Sequence, residues 1–281
     1  MNQQPLTLEQ VHKESLEILK KIMSICDALE INYFLAFGSL IGAVRHQGFI
    51  PWDDDLDLVM LRPEYDKFLQ YCTEHEKELF PFKLMGRHNT PGYPYTICRF
   101  CDLRYQMVSQ ELPDAGMGMF IDIYPFDGAG AEQDDAFKKT GKKRKFYLGC
   151  LFCALRKRYH SSSKGLLGDL LKFPGYCFAR IMGADFFLDR LEKLKDTFRL
   201  EDSKYVVCMV WDWPIKVKEK KHFEEFTYLP FEGLQVKVPK EYDAVLRASY
   251  GDYMQLPPAE QRVPSHEYQL YRKPEYFESN G

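Results

Sequence analysis

A run of aspartates that follows a Gly-Ser pair is the part of this sequence best suited to chemistry. The acids in the run are Asp53, Asp54, Asp55 and Asp57. The pair, Gly38-Ser39, is typical of a tight turn whose backbone N–H groups can bind a phosphate. Carboxylates bind the divalent cation that neutralises such a phosphate. Together these features indicate phosphoryl-transfer chemistry.

The sequence around the acids predicts two strands that would position them. Residues 33–37 are rich in aromatic side chains and end at Gly38, which is typical of a strand that leads into a turn. Residues 56–60 are predicted as the second strand, and the order Asp-Leu-Asp-Leu places Asp55 and Asp57 on one face. Two neighbouring carboxylates repel each other unless a cation lies between them. We therefore expect Asp55 and Asp57 to bind Mg²⁺ or Mn²⁺.

Two alternatives to this metal site use the same residues. An acidic run is often a solvated loop, and the sequence leaves this alternative open. Asp53, Asp55, Asp57 and Glu64 have the spacing of the calcium ligands in an EF-hand loop. The sixth position of such a loop requires glycine, however, and is Leu58 here. Residues 48–52, Gly-Phe-Ile-Pro-Trp, also cannot form the helix that enters such a loop. The EF-hand is therefore excluded.

Residues 38–68 resemble the signature of the LicD family of phosphotransferases. Residues 231–239, 250–254 and 256–258 are similar to the C-terminal pattern of that family, so the resemblance covers roughly residues 30–268. LicD enzymes move phosphocholine from CDP-choline onto cell-surface glycans, and fukutin-related enzymes with the same type of motif move ribitol phosphate from CDP-ribitol. The resemblance implies a nucleotidyltransferase-like α/β fold, with a mixed sheet and flanking helices, in which the Gly-Ser turn and the Asp-x-Asp strand build a two-metal site.

The resemblance also implies roles for residues near the acids. It predicts that the metal bridges the phosphates of the donor, and that Arg45, with His46, stabilises the charge on departing CMP. An ion pair of Arg45 with Asp53 or Asp54 is the structural alternative, and His46 is equally compatible with a surface position. The residues predicted to contact the substrate are Gly38, Ser39, Trp52 and Asp53. For Trp52, packing beneath the site is the alternative that the sequence leaves open.

One more acid lies inside an apolar stretch, residues 120–124, which is predicted as a strand. Asp122 in that position costs free energy unless it is paired, hydrogen-bonded or bound to metal. One interpretation makes Asp122 the third carboxylate that nucleotidyltransferase-like sites place on an adjacent strand, where it shares the metal and accepts the proton of the attacking hydroxyl. The other interpretation pairs it with Arg99 or Arg104. Asp127, which we expect in a loop, is the second candidate for the third carboxylate.

The predicted function is transfer of an alcohol phosphate, with phosphocholine favoured, from a CDP-activated donor. The predicted acceptor is a hydroxyl of a cell-surface glycan or of its lipid-linked oligosaccharide precursor. Two alternatives remain open. A nucleotidyltransferase would use nearly the same motif but would release pyrophosphate instead of CMP. A non-catalytic glycan- or lipid-binding relative would have no need of the acids of the metal motif.

Length and composition agree with an ordinary globular enzyme. The 281 residues are 45% hydrophobic, so the chain can bury a large core, and a net charge of −3 argues against a nucleic-acid partner. The N-terminal residues, MNQQPLTLEQVHKES, show no signal-peptide pattern. The longest stretch without charge, residues 31–44, is too short to span a bilayer. We expect a single catalytic domain over residues 1–281 that works in the cytoplasm.

The eight cysteines are expected to be free thiols, because a chain of this size in the cytoplasm does not need disulfides. Two pairs, Cys98/Cys101 and Cys150/Cys153, have the Cys-x-x-Cys spacing of zinc ligands. The first pair lies in residues 95–102, a predicted strand in which residues three apart face opposite sides. The second lies in an apolar helical run. Buried reduced cysteines are therefore favoured, and zinc binding stays open.

The middle of the chain, residues 131–200, is predicted as a helical, basic insertion. Residues 136–168 contain no acid, and basic residues lie on both sides of the uncharged stretch 146–155. They are Lys138, Lys139, Lys142, Lys143, Arg144, Lys145, Arg156, Lys157, Arg158 and Lys164. Such a segment can lie in an anionic membrane surface, which attracts each basic residue by ~1 kcal/mol. This predicts a peripheral protein on the inner face of the membrane, and the alternative is a buried helix with solvated basic ends.

Local signals predict further elements. Thr7 and Gln10 have the spacing of a capping box, ahead of a helix over residues 8–30. Pro63 is expected in the first turn of another helix. Residues 82–85 are predicted as a strand.

Overall fold

The computed structural model describes residues 4–109, 114–156, 166–211, 216–264 and 266–277 of the 281-residue chain. The described strands are β1 (Phe34–Leu35), β2 (Asp57–Leu61), β3 (Phe82–Met85), β4 (Cys98–Asp102), β5 (Tyr105–Ser109), β6 (Met119–Gly128), β7 (Tyr205–Val207), β8 (Lys218–Glu219), β9 (Phe226–Phe231), β10 (Leu234–Pro239) and β11 (Tyr268–Arg272). The described α-helices are α1 (Leu8–Ala28), α2 (Phe37–His46), α3 (Arg62–Glu74), α4 (Glu76–Leu79), α5 (Asp135–Leu155), α6 (Leu166–Met182), α7 (Ala184–Glu192), α8 (Tyr242–Tyr250) and α9 (Pro274–Phe277).

A mixed sheet forms the centre of the fold. Its strands follow the order β1-β2-β6-β4-β3, and β7, which also pairs with β8, joins the C-terminal end of β6. β2 and β6 run parallel, and the other pairs of this sheet are antiparallel. The predicted class, an α/β fold with a mixed sheet and flanking helices, is confirmed.

The strand β6 is buried along all ten of its residues, although Asp122 and Asp127 are acidic. The helix α1 packs against β4 and β6, and α3 packs against β2, β3 and β6. Apolar residues of both helices recur at helical spacing and are buried. The sheet and these helices enclose the larger of two hydrophobic cores.

The predicted starts of two helices are confirmed. In the capping box before α1, the side chains of Thr7 and Gln10 each accept a hydrogen bond from the other residue's backbone N–H. The helix ends at Ala28, before the predicted end, and Glu30 has a positive φ of 54°, far from the dihedral angles of a right-handed α-helix. Pro63 lies in the first turn of α3, as expected.

The predicted strand at residues 33–37 and the turn after it are wrong in part. β1 is two residues long, and α2 already begins at Phe37. Gly38 and Ser39 therefore lie in the first turn of a helix, in which Leu40, Ile41 and Val44 recur at helical spacing and Leu40 and Ile41 are buried. The N–H groups of a first helical turn have no intrahelical partners. The expected phosphate-binding N–H groups are thus those of a helix N-terminus.

Two other boundaries differ from the prediction. β4 begins at Cys98, later than the predicted start at residue 95. β6 continues past the predicted end at residue 124 to Gly128, because β7 pairs with this end and places Val207 opposite Asp127. The expected loop position of Asp127 is therefore wrong, since it lies within the central strand.

Two small antiparallel sheets attach the C-terminal part of the chain. β9 and β10 form a hairpin whose turn residues, Glu232 and Gly233, have positive φ angles of 48° and 80°. Positive φ at both central positions is typical of a type I′ turn, which accounts for the glycine. β11 pairs with β5 and so brings residues near 268 to the main sheet.

The helices α5, α6 and α7 pack together around the second hydrophobic core. The division into one catalytic domain with an insertion at residues 131–200 stays a prediction. None of the helices in the described ranges is long and apolar enough to cross a bilayer.

The basic residues of the insertion differ in their surroundings. Lys157, Arg158 and Lys164 lie outside the described residues. The expected surface position of Arg144 is wrong, because α5 turns every third or fourth side chain inward and Arg144 falls on that side. It is fully buried and donates a hydrogen bond of 2.7 Å to the carbonyl oxygen of Cys208.

Candidate active site

Three carboxylates converge where β2 begins beside β6. One oxygen from each of Asp55, Asp57 and Asp122 lies within 4.8 Å of the others. Asp57 and Asp122 are neighbours because the parallel register of β2 and β6 places them opposite each other. Asp55 precedes Asp57 by two residues, which is the spacing of one strand face. The structure thus brings together the predicted metal ligands.

The first turn of α2 borders this cluster. The Ser39 Oγ accepts a hydrogen bond of 2.9 Å from the backbone N–H of Asp57. A Cβ added to Gly38 would lie 2.6 Å from the Asp53 Oδ2, so glycine leaves room for that carboxylate. The Nε2 of His12, on α1, lies 2.6 Å from the carbonyl oxygen of Asp53 and fixes the loop that carries the acids. The predicted phosphate-binding pair and Asp53 therefore lie together.

Asp122 forms an ion pair with Arg99, which is the pairing that the sequence offered as the alternative to a metal role. Arg99 Nε donates to Asp122 Oδ1 at 2.6 Å, and Arg99 Nη2 donates to Oδ2 at 3.4 Å. Arg104 instead pairs with Asp102 at 2.6 Å. Arg99 brings one positive charge to a group of three acids. The ion pair therefore leaves negative charge in the cluster that is not compensated by Arg99.

Burial and mutual repulsion oppose ionisation of these acids. Burial, and then the charge of Asp53, raises the pKa of Asp55 to about 7. Burial, followed by Asp55 and Asp122, raises the pKa of Asp57 well above its usual value. The Asp57 Oδ1 is buried and has no hydrogen-bond partner among the described residues. A hard divalent cation such as Mg²⁺ or Mn²⁺ fits this all-oxygen set, because it would satisfy that oxygen and neutralise the charges.

A histidine that the sequence analysis missed lies beside the same acids. His266 Nδ1 lies 2.8 Å from Asp54 Oδ1, and His266 Nε2 lies 3.5 Å from Asp55 Oδ2. The hydrogen bond with Asp54 raises the pKa of His266. These three residues form a second group with spacing suited to a cation, and Asp55 belongs to both groups. No local pattern marks His266, because the pairing of β11 with β5 brings it here.

The predicted catalytic residues Arg45 and His46 lie away from the carboxylates. They occupy the last turn of α2, which is ~10 Å from Gly38 at ~1.5 Å per residue. Arg45 Nη1 donates to the carbonyl oxygen of Tyr253 at 2.7 Å, and Arg45 Nε donates to His46 Nε2 at 2.9 Å. Arg45 therefore binds the C-terminal segment rather than an acid of the run.

Trp52 lies at this same end of α2. Its ring centre is 6.4 Å from that of His46, and the Arg262 guanidinium lies 5.7 Å from a ring centre of Trp52. Burial and the charge of Arg262 lower the pKa of Arg45, and burial and Arg45 lower the pKa of His46. Basic and aromatic groups thus gather at the C-terminal end of α2, whereas the acids gather at its N-terminal end.

Asp127, the second candidate for the third carboxylate, lies far from the other acids. It follows Asp122 by five residues on β6, which is ~16 Å at ~3.3 Å per residue. Arg62 Nε donates to Asp127 Oδ1 at 2.6 Å, and the backbone N–H of Met209 donates to Oδ2 at 3.3 Å. The geometry therefore joins Asp122, and not Asp127, to Asp55 and Asp57.

A cavity of about 430 Å³ opens beside Asp122. Its aromatic wall consists of Tyr95, Tyr124, Phe152, Trp211 and Tyr268. The charged and titratable groups that line it are Arg99, Asp122, Arg156, His266 and Glu267. Because β4, β6, α5 and the segment before β11 all contribute, the cavity could not be found from local sequence patterns.

The two cysteine pairs lie on different elements of the fold. Cys98 and Cys101 are buried on β4, and Cys150 and Cys153 are partly buried on α5. Burial raises the pKa of Cys98 to about 11 and that of Cys101 to about 12, which favours the thiol form. Neither group of potential metal ligands found in the described ranges includes a cysteine.

Comparison with known proteins gives a family match and several relatives. Residues 30–148 match the model of the LicD/FKTN/FKRP nucleotidyltransferase domain. The lipopolysaccharide cholinephosphotransferase LicD of Haemophilus influenzae is 29% identical over 272 residues, which cover 95% of this chain and 98% of that protein. The human ribitol 5-phosphate transferase FKRP is 43% identical over 42 residues, which cover 15% of this chain and 8% of FKRP. An uncharacterized protein of Rickettsia typhi is 32% identical over 124 residues, which cover 43% of this chain and 35% of that protein.

Proposed function

Because this chain belongs to the LicD family, as its motifs predict, we propose that it is a metal-dependent phosphotransferase. It moves phosphocholine, or a similar alcohol phosphate, from a CDP-activated donor to a hydroxyl of a cell-surface glycan or its lipid-linked precursor. Two of the relatives, LicD of Haemophilus influenzae and human FKRP, are phosphate-group transferases, which supports the reaction class. The convergence of Asp55, Asp57 and Asp122 supports the reaction most directly, because such a group binds the cation that phosphoryl transfer requires.

The residues of the cluster have distinct parts in this proposal. Asp55, Asp57 and Asp122 hold the cation, which when bound neutralises the donor phosphates and polarises the phosphorus. The free N–H groups at the start of α2, at Gly38 and Ser39, bind phosphate oxygens. The second group, Asp54, Asp55 and His266, would hold a further cation.

The transfer breaks one P–O bond and forms another. The acceptor hydroxyl oxygen attacks the phosphorus that carries the alcohol, and CMP leaves with the electron pair of the broken bond. The acceptor proton goes to Asp122, whose Oδ2 lies 3.4 Å from Arg99 and is held less tightly than Oδ1. For Arg45 and His46 to stabilise departing CMP, the nucleotide must extend along α2 to its C-terminal end.

Two alternative functions make different predictions. A nucleotidyltransferase would direct attack at the α-phosphorus and release pyrophosphate. A non-catalytic binding protein would gain nothing from buried acids whose charges repel each other. The test is incubation with CDP-choline, CDP-ethanolamine and CDP-ribitol, Mg²⁺ and glycan precursors, with CMP and pyrophosphate measured together. Release of CMP that requires the acceptor supports the proposal, and release of pyrophosphate, or of neither product, contradicts it.

We also propose that the enzyme works in the cytoplasm, on the inner face of the membrane. The helix α5 exposes Phe137 and Phe146 among lysines, which is the composition of a segment that lies in a membrane surface. The exposed lysines of this face are Lys138, Lys139, Lys142, Lys143 and Lys145. Because Arg144 is buried, it takes no part in this surface.

Vesicle co-sedimentation tests the membrane proposal. A variant with Lys142, Lys143 and Lys145 changed to glutamate should no longer bind vesicles that contain phosphatidylglycerol, and the wild-type protein should be released as salt shortens the Debye length to ~3 Å at 1 M. The control carries the same change at exposed lysines elsewhere, namely Lys77, Lys204 and Lys216. Equal sedimentation of the variant and the control, or none by the wild-type protein, contradicts membrane binding through α5.

A further inference from the structure

Arg99 lies in one row with two acids of the candidate site, across three neighbouring strands. The register of β2 and β6 places Asp57 opposite Asp122, and the register of β6 and β4 places Asp122 opposite Arg99. Two strand spacings, or ~10 Å, thus separate Asp57 from Arg99. The first turn of α2 borders the row at Asp57, whose backbone N–H donates to the Ser39 Oγ. The acids therefore lie between a helix N-terminus and a guanidinium group.

The Arg99 guanidinium packs against two aromatic rings where it lines the cavity beside Asp122. Its central carbon lies 3.8 Å from the ring centre of Tyr95 and 3.9 Å from that of Phe120. Arg99 is only 8% exposed. Cation–π contacts of this kind stabilise a guanidinium that is removed from water, and they fix the direction in which its N–H groups point. Arg99 is therefore already oriented before any ligand binds.

The hydrogen bonds of Arg99 do not use all of its donors. A guanidinium carries five N–H groups. Asp122 accepts one from Nε at 2.6 Å and one from Nη2 at 3.4 Å, and the Met117 Sδ, a weak acceptor, lies 3.7 Å from Nη1. Two N–H groups thus have no acceptor among the described residues. Because Arg99 is buried at the wall of a cavity, oxygens of water or of a ligand there must accept from them.

A phosphate oxygen suits these donors better than a neutral group. The planar guanidinium matches the geometry of a phosphate, and a charge-assisted hydrogen bond is roughly twice as strong as a neutral one. A phosphate that shares a cation with Asp122 would lie beside this carboxylate and close to its arginine. The proposed donor has two linked phosphates, and the acid row has an anion-binding group at each end, namely the start of α2 and Arg99.

We propose that Arg99 is a further catalytic residue, which binds the transferred phosphoryl group from the side of the acid row opposite α2. This assignment rests on the proposed function, because it places the two phosphates of the donor. The CMP phosphate lies against the start of α2, and the transferred phosphoryl group lies on the side of Arg99. The acceptor oxygen forms its P–O bond, CMP leaves with the electron pair of the broken bond, and the acceptor proton goes to Asp122. Arg99 stabilises the negative charge on the phosphoryl oxygens that do not react.

Turnover of Arg99→Lys tests this role, because lysine keeps the charge but removes the planar set of N–H groups. Arg62→Lys is the matched control. Arg62 pairs with buried Asp127 at 2.6 Å and lies 4.9 Å from the ring centre of Tyr65, but it is not among the described residues that line the cavity. With the donor that gives the fastest CMP release, kcat per folded molecule should fall roughly 10²-fold in Arg99→Lys and stay unchanged in Arg62→Lys. An unchanged kcat in Arg99→Lys, or an equal loss in both variants, overturns the assignment.

Mn²⁺ binding, followed by electron paramagnetic resonance, separates contact with the phosphoryl group from support of Asp122 alone. If Arg99 only held Asp122 in place, its replacement would weaken Mn²⁺ binding and slow the reaction together. Removal of a nearby positive charge instead favours a cation, so Arg99→Gln should bind Mn²⁺ at least as tightly as the wild-type protein. Arg99→Gln should also lose turnover, so it replaces Arg99→Lys if the lysine variant does not fold. Mn²⁺ binding by Arg99→Gln that is as weak as that of Asp122→Asn would make Arg99 a structural partner and overturn the assignment.

Anion binding separates failure of this assignment from failure of the proposed function. The probe is methyl phosphate, titrated calorimetrically in Mg²⁺. The wild-type protein and Arg62→Lys should bind it, and Arg99→Gln should bind it roughly tenfold more weakly. Equal binding by the wild-type protein and Arg99→Gln, or none by the wild-type protein, overturns the contact of Arg99 with phosphate, and CMP release would then still support the phosphotransferase. Absence of CMP release from every donor, with weaker methyl phosphate binding in Arg99→Gln alone, overturns the phosphotransferase and leaves Arg99 as a phosphate ligand.

Discussion

The two acids of β6 can be compared directly, because both are buried and each pairs with one arginine. Asp122 Oδ1 lies 2.6 Å from Arg99, and Asp127 Oδ1 lies 2.6 Å from Arg62. The Asp127 Oδ2 also accepts from the backbone N–H of Met209. One acid and one arginine thus balance each other at the C-terminal end of β6.

Asp122, unlike Asp127, lies among other acids, so its surroundings are more negative. Asp55 and Asp57 lie with it in one group, and Arg99 compensates a single charge. The pKa of Asp57 is raised by burial and by these neighbours, and its Oδ1 has no partner in the described part of the chain. A buried acid with its own arginine is a structural ion pair, whereas a group of acids with one arginine is suited to a cation. The predictions below test this difference.

The largest effect is expected for Asp57→Asn. The amide keeps the shape but removes the charge that binds the cation, so transfer should fall by roughly 10³-fold or more. The fold should remain intact, because the change removes a buried charge with little packing role. CMP release at saturating Mg²⁺, with a thermal melt, measures both effects, and Asp55→Asn should behave in the same way. Turnover near that of the wild-type protein for Asp57→Asn contradicts the metal site.

Asp122→Asn should lower kcat by roughly 10²–10⁴-fold, with a smaller effect on donor binding. The same change weakens the partner of buried Arg99 and should also cost stability. Activity must therefore be expressed per folded molecule, from a melt of each preparation. Normal activity per folded molecule would mean that Asp122 has the same structural role as Asp127.

Asp127→Asn should show the opposite pattern. Loss of the charge that balances Arg62 should cost roughly 3 kcal/mol, a fall in Tm of roughly 6–12 °C for a chain of this size. Activity per folded molecule should not change. Asp66→Asn is the matched control, because Asp66 contacts the same arginine at 3.4 Å but is 60% exposed, and it should change stability by less than ~0.5 kcal/mol. A loss of turnover in folded Asp127→Asn would remove the distinction between the two ends of β6.

The smallest effect expected is a dependence of stability on pH and Mg²⁺. Because the pKa of Asp55 is raised from 3.8 to about 7, the folded protein binds more protons than the unfolded chain between these values. The free energy of unfolding should therefore fall as pH rises from 4 to 7. In EDTA the Tm should be a few degrees lower at pH 8 than at pH 5, and Mg²⁺ should restore it at pH 8. The difference should shrink in Asp55→Asn. A Tm in EDTA that is unchanged or higher at pH 8 would contradict the crowding of these carboxylates.

Sequence patterns were sufficient where the signal is local. The alternation around Leu56 places Asp55 and Asp57 on one face, and an acid in an apolar strand singles out Asp122. The capping box at Thr7 and the position of Pro63 predict helix starts in the same way. Periodicity and capping depend on neighbours in the chain, so these features could be predicted before the fold was known.

The remaining features depend on contacts between distant segments. His266 reaches the acids through β11, and Trp211 meets Phe152 across two elements. Asp127 was expected in a loop because its pairing with β7 has no local signal. The sequence predicts a surface position for Arg144, because it lies in a run of basic residues. Its burial depends on the packing of α5. The Gly-Ser pair was assigned to a turn, since a short apolar helix and a strand have similar composition.

Binding of Mn²⁺, followed by electron paramagnetic resonance, tests the central claim most directly. The wild-type protein and Asp127→Asn should both bind the ion, and Mg²⁺ should displace it. Asp57→Asn, folded by the criterion of its melt, should bind it far more weakly. Equal Mn²⁺ affinity of Asp57→Asn and the wild-type protein would contradict the account, because the convergent acids would then not be the ligands.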